Sequence, residues 1–516
     1  MNRHFIAFAA IIVLGAAGLV AYYFLRPYFT ERHAQSTSDA SQVGERLVIG
    51  TDSWIGYVPL CGKEMRRRMH ESGYLVECRD DKADYPARMK QLRSGDLQFA
   101  VATVDTFLLN GAKEQFPGTI VMVIDESKGG DALVARRDKL ASIEDLKTRS
   151  GYRIAYTPNS PSEHLLKAVA SHFDVPSLRQ RDGAWRVPVS GSEEALEQLL
   201  KGKVDAAVVW EPDVAKAIAQ PGIVKILGTE DTQKLIVDVL LVNRDFSQRS
   251  APAVSRLIAT YFRTLKYYRD NPEALTDEIR AATKLSRAQA ETAVKGVRWA
   301  SLTDNARDWF GIGGGTEGLV DTLEETAKIL VDHRDFQTSP LPQRDPYRLQ
   351  YRKFVEDLFT AGMDSSGFNT PAPSAAATAS RAFAALTQEQ WSRLPEVGTL
   401  RIRPIGFASG TDELSLEGKA EIDAAAVNLS RYPNFRIIVK GHTSIRGERN
   451  ENKLLSQERA EAVKRYLTIT HAVDAQRIHA IGYGGDRPLA RSPGEADRAY
   501  EYRLPRVEIS LASDSY

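Results

Sequence analysis

Apolar positions along this chain change their period from one stretch to the next, and each change marks an element. Residues 5–25, FIAFAAIIVLGAAGLVAYYFL, form 21 residues with no charge among them. Coiled as a helix they reach about 31 Å, the thickness of a bilayer's hydrocarbon core. Tyr22 and Tyr23 fall where an aromatic belt sits. The run predicts one N-terminal transmembrane helix behind a tip of residues 1–4. It also predicts an uncleaved anchor, because Leu19 and Ala21 make a poor cleavage site and no lipobox cysteine follows. Residues 26–46 are polar and read as a tether.

From 47 to about 335, short apolar runs alternate with amphipathic stretches. LVIGT, LVECR, FAVAT, TIVMVI, DALVA, RIAY, VDAAVVW and IVKIL read as strands. MKQLRSG, SEHLLKAVASHF and SEEALEQLLKG read as helices between them, and 251–270 and 287–299 as further helices. Such alternation predicts an α/β unit with largely parallel sheets. Residues 336–398 are a connector. It holds the helical RLQYRKFVEDLFTAG, docked on the preceding unit, the Pro/Ala/Ser-rich linker 365–380, and a lead-in helix within 385–398. Residues 399–512 return to a βαβαβ pattern with a closing strand at PRVEISL, an α+β domain.

Composition narrows the function classes. A net charge of +1 over 516 residues offers no field for nucleic acid. There are 2 cysteines, Cys61 and Cys78, and neither C-x-x-C nor a Cys/His zinc spacing. No P-loop, G-x-S-x-G or H-E-x-x-H occurs. Gly313, Gly315 and Gly318 match G-x-G-x-x-G but follow ARDWFGIG rather than a strand, so they are no dinucleotide loop. No nucleophile–base constellation is legible. These absences point away from an enzyme and from any metal or cofactor.

The α/β region resembles the type II periplasmic solute-binding proteins of ABC importers, nearest the subgroup for nitrate, sulfonates, taurine and thiamine precursors. The resemblance is carried by VIGTDSWIGYVPL (48–60), RMKQLRSGDLQFAVATVD (88–105), KGGDALVAR (128–136), IEDLKTRSGYRIAYTPNSPSEHLLKAV (143–169) and LLKGKVDAAVVWEPDVAKA (199–217). It implies two lobes, one of about 47–134 plus 239–335 and one of about 135–238. Extended crossovers near 133–137 and 238–243 would join them as a hinge, closing on a small solute. Ligands of open α/β sheets sit at the carboxyl ends of strands. The candidate wall is therefore Trp54 and Tyr57, Thr103 and Asp105, Asp131, Ser160 and Ser162, Trp210 and Glu211, and Asp238. A helix start with Ser160 and Ser162 suits an anion; a plain N-cap is the alternative. Asp131, Glu211 and Asp238 argue against a purely anionic solute.

Near the C-terminus, FRIIVKG reads as a strand, and a helix follows from about Glu451 to Leu467. Asn452, Ser456 and Arg459 lie on one polar stripe, with Ala460, Val463 and Leu467 on the apolar stripe beside it. An Arg next to a strand-to-helix turn suits a carboxylate, held bidentately; a solvated surface Arg is the alternative. The stretch GHTSIRGERNENKLLSQERAEAVKRYL (441–467) closely resembles the OmpA-like peptidoglycan-binding domain. Gly441, His442, Thr443, Gly447, Asn452, Leu455, Ser456, Arg459 and Ala460 all match its pattern.

In that family an Asp after the threonine and the later Arg grip the diaminopimelate of the peptide stem. Here the Asp position is Ser444, and the closing N-R-R-V-E is Leu504, Pro505, Arg506, Val507, Glu508. The resemblance implies a peptidoglycan site of Thr443, Ser444, Asn452, Arg459 and Arg506, weakened at Ser444. It also implies a periplasmic bulk anchored in the inner membrane of a Gram-negative cell, with the N-terminus cytoplasmic. An ABC permease or another envelope protein would be the partner. An oxidising periplasm permits a Cys61–Cys78 disulfide, since a helix start and the end of the next parallel strand lie on one side of a βαβ unit; two buried thiols are the alternative. The function expected is solute capture for uptake or sensing by a wall-contacting protein. The competing expectation is a structural tether between membrane and peptidoglycan with a degenerate cleft.

Overall fold

The computed structural model describes residues 44–362 and 383–514. The apolar run 5–25, nearly all of the tether and the 365–380 linker lie outside them. Among the described residues no helix is long and apolar enough to cross a membrane.

The chain lays down β1 (Glu45–Thr51), β2 (Tyr74–Asp80), β3 (Phe99–Thr103) and the long β4 (Gly118–Ser127) before crossing to a second sheet. There it forms β5 (Asp131–Arg136), β6 (Ile154–Tyr156), β7 (Arg186–Pro188), β8 (Ala206–Trp210) and β9 (Ile223–Gly228). It returns through β10 (Val237–Asn243) and β11 (Val297–Trp299). The first sheet runs β11-β4-β10-β3-β1-β2 and the second β7-β6-β8-β5-β9. Strands β3, β4, β8 and β10 are buried along their whole length, which explains why they read as unbroken apolar runs rather than alternating ones.

The expectation of largely parallel sheets is corrected. β1 is parallel to β2 and β3, and β6 to β7 and β8, but β4, β5 and β10 pair antiparallel with their neighbours. The strands that carry the chain between lobes enter the sheets against the direction of the βαβ units. The crossovers also move. Gly130 lies between the sheets on the outward path, and 229–236 on the return, so β5 and Asp131 belong to the second lobe and Asp238 to the first. The segment expected to stay helical through 299 ends as a helix at Lys295, and β11 then pairs with β4.

Cys61, at the end of a short helix, is bonded to Cys78 in β2, with Cα atoms 6.0 Å apart and a sequence separation of 17. Closing a loop of that length restricts the unfolded chain by about 3 kcal/mol.

The C-terminal domain begins earlier than the expected residue 399, because β12 (Glu396–Thr399) is already an edge of its sheet. β13 (Arg436–His442), β14 (Ile478–Gly482) and β15 (Arg506–Ala512) complete the order β12-β15-β13-β14. The helix Arg449–Thr470 lies almost against β13 and β14. A Cβ on Gly441 would come within 2.0 Å of the Ser456 carbonyl oxygen, and one on Gly482 within 2.4 Å of the Gln457 nitrogen. Glycine at these strand positions is what lets the helix approach.

This domain is docked on the second lobe. Tyr432 packs edge-on against Phe173, ring centroids 5.2 Å apart, and its hydroxyl meets Nδ1 of His172 at 2.6 Å. Gly398 sits against Phe173 and Ile143. Lys147 donates to the Thr399 carbonyl at 3.0 Å, Arg401 N–H to the His172 carbonyl at 2.7 Å, and Gln233 N–H to the Arg431 carbonyl at 2.7 Å. Arg431 pairs with Glu325 at 3.3 Å, and Arg401 with Asp332 at 3.2 Å. Glu325 and Asp332 belong to the helix Gly318–Asp332, which packs against both lobes. Apolar residues of the second lobe and of the C-terminal domain therefore share one core.

Candidate functional site

Strand ends from both lobes face one another across a closed cleft. At its bottom is a cavity of about 20 Å³, enough for a single water molecule. Trp54 and Tyr57, just past β1, form one wall with Thr103 at the end of β3. Asp131 and Trp210, direct partners across the β5–β8 ladder, form the opposite wall with Pro161. Asp238 closes the floor from β10, where it lies between Thr103 and Asp125 on neighbouring strands. An outer groove of about 1270 Å³ shares Asp52, Trp54, Tyr57 and Trp210 with this cavity.

Of the residues expected from the sequence, Trp54, Tyr57, Thr103, Asp131, Trp210 and Asp238 are brought together here. Asp105, Ser160, Ser162 and Glu211 are buried but do not line the cavity. The two serines are occupied by their own backbone. Ser160 Oγ accepts from Ser162 N–H at 3.2 Å and donates to the Thr157 carbonyl at 2.7 Å. Ser162 Oγ accepts from Thr157 N–H at 3.2 Å. The two hydroxyls of this helix start are held by local backbone, as in the plain N-cap alternative. Glu211 accepts from Ala215 N–H at 3.1 Å, in the turn beyond β8.

Sequence reasoning missed Asp52, Tyr85, Arg88 and Asp125. Asp52 immediately follows β1, so the strand-end argument that picked out Trp54 reaches it. Tyr85 and Arg88 come from the helix Tyr85–Ser94, and Asp125 from inside β4, where no strand-end signal exists. Arg88 has a fully buried side chain. It pairs with Asp81 at 2.5 Å and Asp52 at 3.1 Å, donates to the Val101 carbonyl at 2.9 Å, and lies 4.7 Å from the Tyr85 ring centroid. Trp54 Nε1 donates to Asp125 at 3.2 Å, and the Tyr57 hydroxyl donates to Asp238.

Burial dominates the electrostatics. It pushes Asp105 up to about 6, and Asp131 and Glu211 up to about 7. Asp125 and Asp238, which face each other, are both raised, first by burial and then by nearby like charge.

The C-terminal site is the opposite case. Ser444 Oγ accepts from Arg446 N–H at 3.0 Å, closing the turn after β13. Asn452 donates to the carbonyls of Ser444 at 3.3 Å and Arg446 at 2.8 Å, which shapes the same loop. Thr443 N–H donates to the Gly484 carbonyl at 2.9 Å. Arg459 donates to the Thr411 carbonyl at 2.9 Å and lies 5.0 Å from the Phe407 ring centroid. Arg506 pairs with Glu508 at 2.7 Å.

Residues 406–501 match the family model described as the OmpA family. A peptidoglycan-associated lipoprotein of Pseudomonas putida is 31% identical over 144 residues, which cover 28% of this chain and 86% of that protein. The chain belongs to the OmpA family. The outer membrane protein Omp38 of Acinetobacter baumannii is 35% identical over 98 residues, 19% of this chain and 28% of that protein. The chain thus spans well under half of that relative's length. Ahead of its OmpA domain, residues 80–292 match the family model described as ABC transporter, phosphonate, periplasmic substrate-binding protein. Among solved structures, the alkanesulfonate-binding protein SsuA from Xanthomonas axonopodis pv. citri bound to MOPS aligns with a TM-score of 0.47 and 16% identity, over 60% of this chain and 98% of that one. Two regions of this OmpA-family chain thus match family models, residues 80–292 the periplasmic substrate-binding one and residues 406–501 the OmpA one.

Proposed function

We propose that the chain is a periplasmic solute-binding protein anchored in the inner membrane by residues 5–25 and held to peptidoglycan by its C-terminal domain. The lobes take up a small molecule between Trp54, Tyr57, Asp131, Trp210 and Asp238. They pass it to an ABC-type permease or report it to another envelope partner. The observation that carries this reading is the convergence of strand ends from both lobes on a closed cleft lined by rings and carboxylates. The match of residues 80–292 to a periplasmic substrate-binding family supports it.

Peptidoglycan contact rests on Arg459, with Ser444 in place of the family's acid. Arg459 would hold a stem-peptide carboxylate, and Ser444 offers the ammonium only a neutral hydroxyl. One observation favours the second reading, a tether with a degenerate cleft: the inner cavity holds no more than a water. The outer groove beside it, sharing both tryptophans, favours binding.

The deciding experiment is mass spectrometry of small molecules released on denaturing the full-length protein, purified in detergent. A single stoichiometric solute is expected. Its absence, together with no solute-dependent change in tryptophan fluorescence, would leave the tether.

A further inference from the structure

The cleft is rich in hydrogen-bond acceptors and poor in free donors. The Trp54 indole N–H is engaged by Asp125, the Tyr57 hydroxyl by Asp238, and the Arg88 guanidinium by Asp81, Asp52 and a carbonyl. The hydroxyls of Ser160 and Ser162 are held by the turn that starts their helix. A phosphonate or sulfonate oxygen entering here meets groups whose N–H and O–H bonds already point elsewhere. Carboxylates remain. Asp131 lines the cavity with 3% of its surface exposed, and the charged groups acting on it, Asp105 and Asp52, are both acidic. Asp105, two residues beyond cavity-lining Thr103, is 4% exposed and has an Oδ1 with no hydrogen-bond partner. Lys167, whose charge reaches Asp105, is itself paired with Asp335 at 2.8 Å.

Taking the solute-binding reading as its basis, we infer that the cleft receives a small cation, an amine or amidine. Its N–H groups would satisfy Asp131 and Asp238 while its body lies against Trp54, Tyr57 and Trp210. The chemistry is consistent on both sides. An ammonium or guanidinium brings donors to a site lined by carboxylates, and charge-assisted bonds are the strong ones. Indole and phenol faces attract a cation that has left water. The cavity is too small for such a solute while the lobes are closed, so entry is by way of the outer groove as they part.

The test uses the full-length protein in detergent and follows tryptophan fluorescence and the unfolding midpoint. The probes are agmatine and putrescine as cations, methylphosphonate and methanesulfonate as anions. The cations are expected to move both signals, and Asp131→Asn to weaken them by about tenfold, with Asp238→Asn as an independent variant. Response to the anions alone, or a neutral solute released from the purified protein, would overturn the cation while leaving solute binding intact. Cation binding that neither variant weakens would place the cation elsewhere and overturn this site. No response to any probe and no released solute would remove the solute-binding reading and this inference with it.

Discussion

The two candidate sites of this chain are mirror images in charge. The interlobe cleft is lined by Asp52, Asp131 and Asp238, with Asp125 bonded behind Trp54, and the buried guanidinium of Arg88 pairs with Asp52. The C-terminal site presents Arg459 and Arg506 at a turn where the family's acid has become Ser444. The cleft gathers carboxylates, whereas the C-terminal site holds Arg459 against a backbone carbonyl and closes the turn beyond β13 with Ser444 rather than an acid. Their settings differ as well. In the cleft, burial is the first cause that raises Asp131 and Asp238; at the turn beyond β13, partial exposure leaves screening and hydrogen bonds in control. The same residue type thus has different consequences in the two places.

The largest effect should come from the one cation of the cleft. Arg88→Ala leaves Asp52 and Asp81 without their partner and a carbonyl without its donor, and should cost about 3–5 kcal/mol, read by guanidinium denaturation. A loss under about 1 kcal/mol would mean that the cleft acids are neutral and need no counter-charge, which would break the comparison.

Acid should separate the two regions next. Asp131 and Glu211 titrate near 7 in the folded chain, far above ordinary carboxylates. The folded cleft therefore holds protons that the unfolded chain has released, and its stability should fall as pH rises from about 4 to about 7 and level off above that. Glu508 runs the other way. Burial raises it, but His442, 3.7 Å away, and the charge and 2.7 Å bond of Arg506 outweigh that and bring it down to about 2. Its contribution is present above the ordinary carboxylate range and is lost as pH falls toward 2. Thermal unfolding from pH 4 to 8 should show the downward slope, and Asp131→Asn with Glu211→Gln should flatten it. An unchanged slope in that double variant would assign the effect to other groups.

The smallest effect concerns the missing acid. Ser444→Asp should strengthen retention of the full-length protein on purified sacculi by about tenfold, the gain of one charge-assisted bond over a neutral one. Arg459→Ala should abolish what remains. Equal retention in native and Ser444→Asp proteins would show that the ammonium is already met by another acid, with Glu448 and Glu451 nearest in sequence.

Much of this was legible from periodicity. The strands that carry Trp54, Thr103 and Trp210 announce themselves as β-branched runs, and their ends point to the cleft. The crossovers did not, because TIVMVI and DALVA are equally apolar on either side of Gly130 and nothing in composition separates one lobe's strand from the next. Arg88 was hidden because an arginine on an amphipathic helix reads as solvated, and only the fold turns it onto Asp52 and Asp81. Asp125 was hidden inside β4, a strand whose apolar neighbours suggest only core. Docking of the C-terminal domain was illegible for another reason. Ile143, Phe173 and Tyr432 are ordinary apolar residues one at a time, and only tertiary placement makes them a joint.

That joint decides which part of the molecule stands still. With Tyr432 seated on Phe173 and backbone bonds running from Arg401 to His172 and from Gln233 to Arg431, the second lobe and the C-terminal domain form one body. Peptidoglycan, if it holds that body, becomes the fixed frame. Opening the cleft is then a swing of the first lobe, the lobe continuous with the N-terminal segment, and the second lobe stays parked on the wall. The ion pairs from Arg431 to Glu325 and from Arg401 to Asp332 bridge the parked body to the helix packed on both lobes. They sit where a latch on that swing would be.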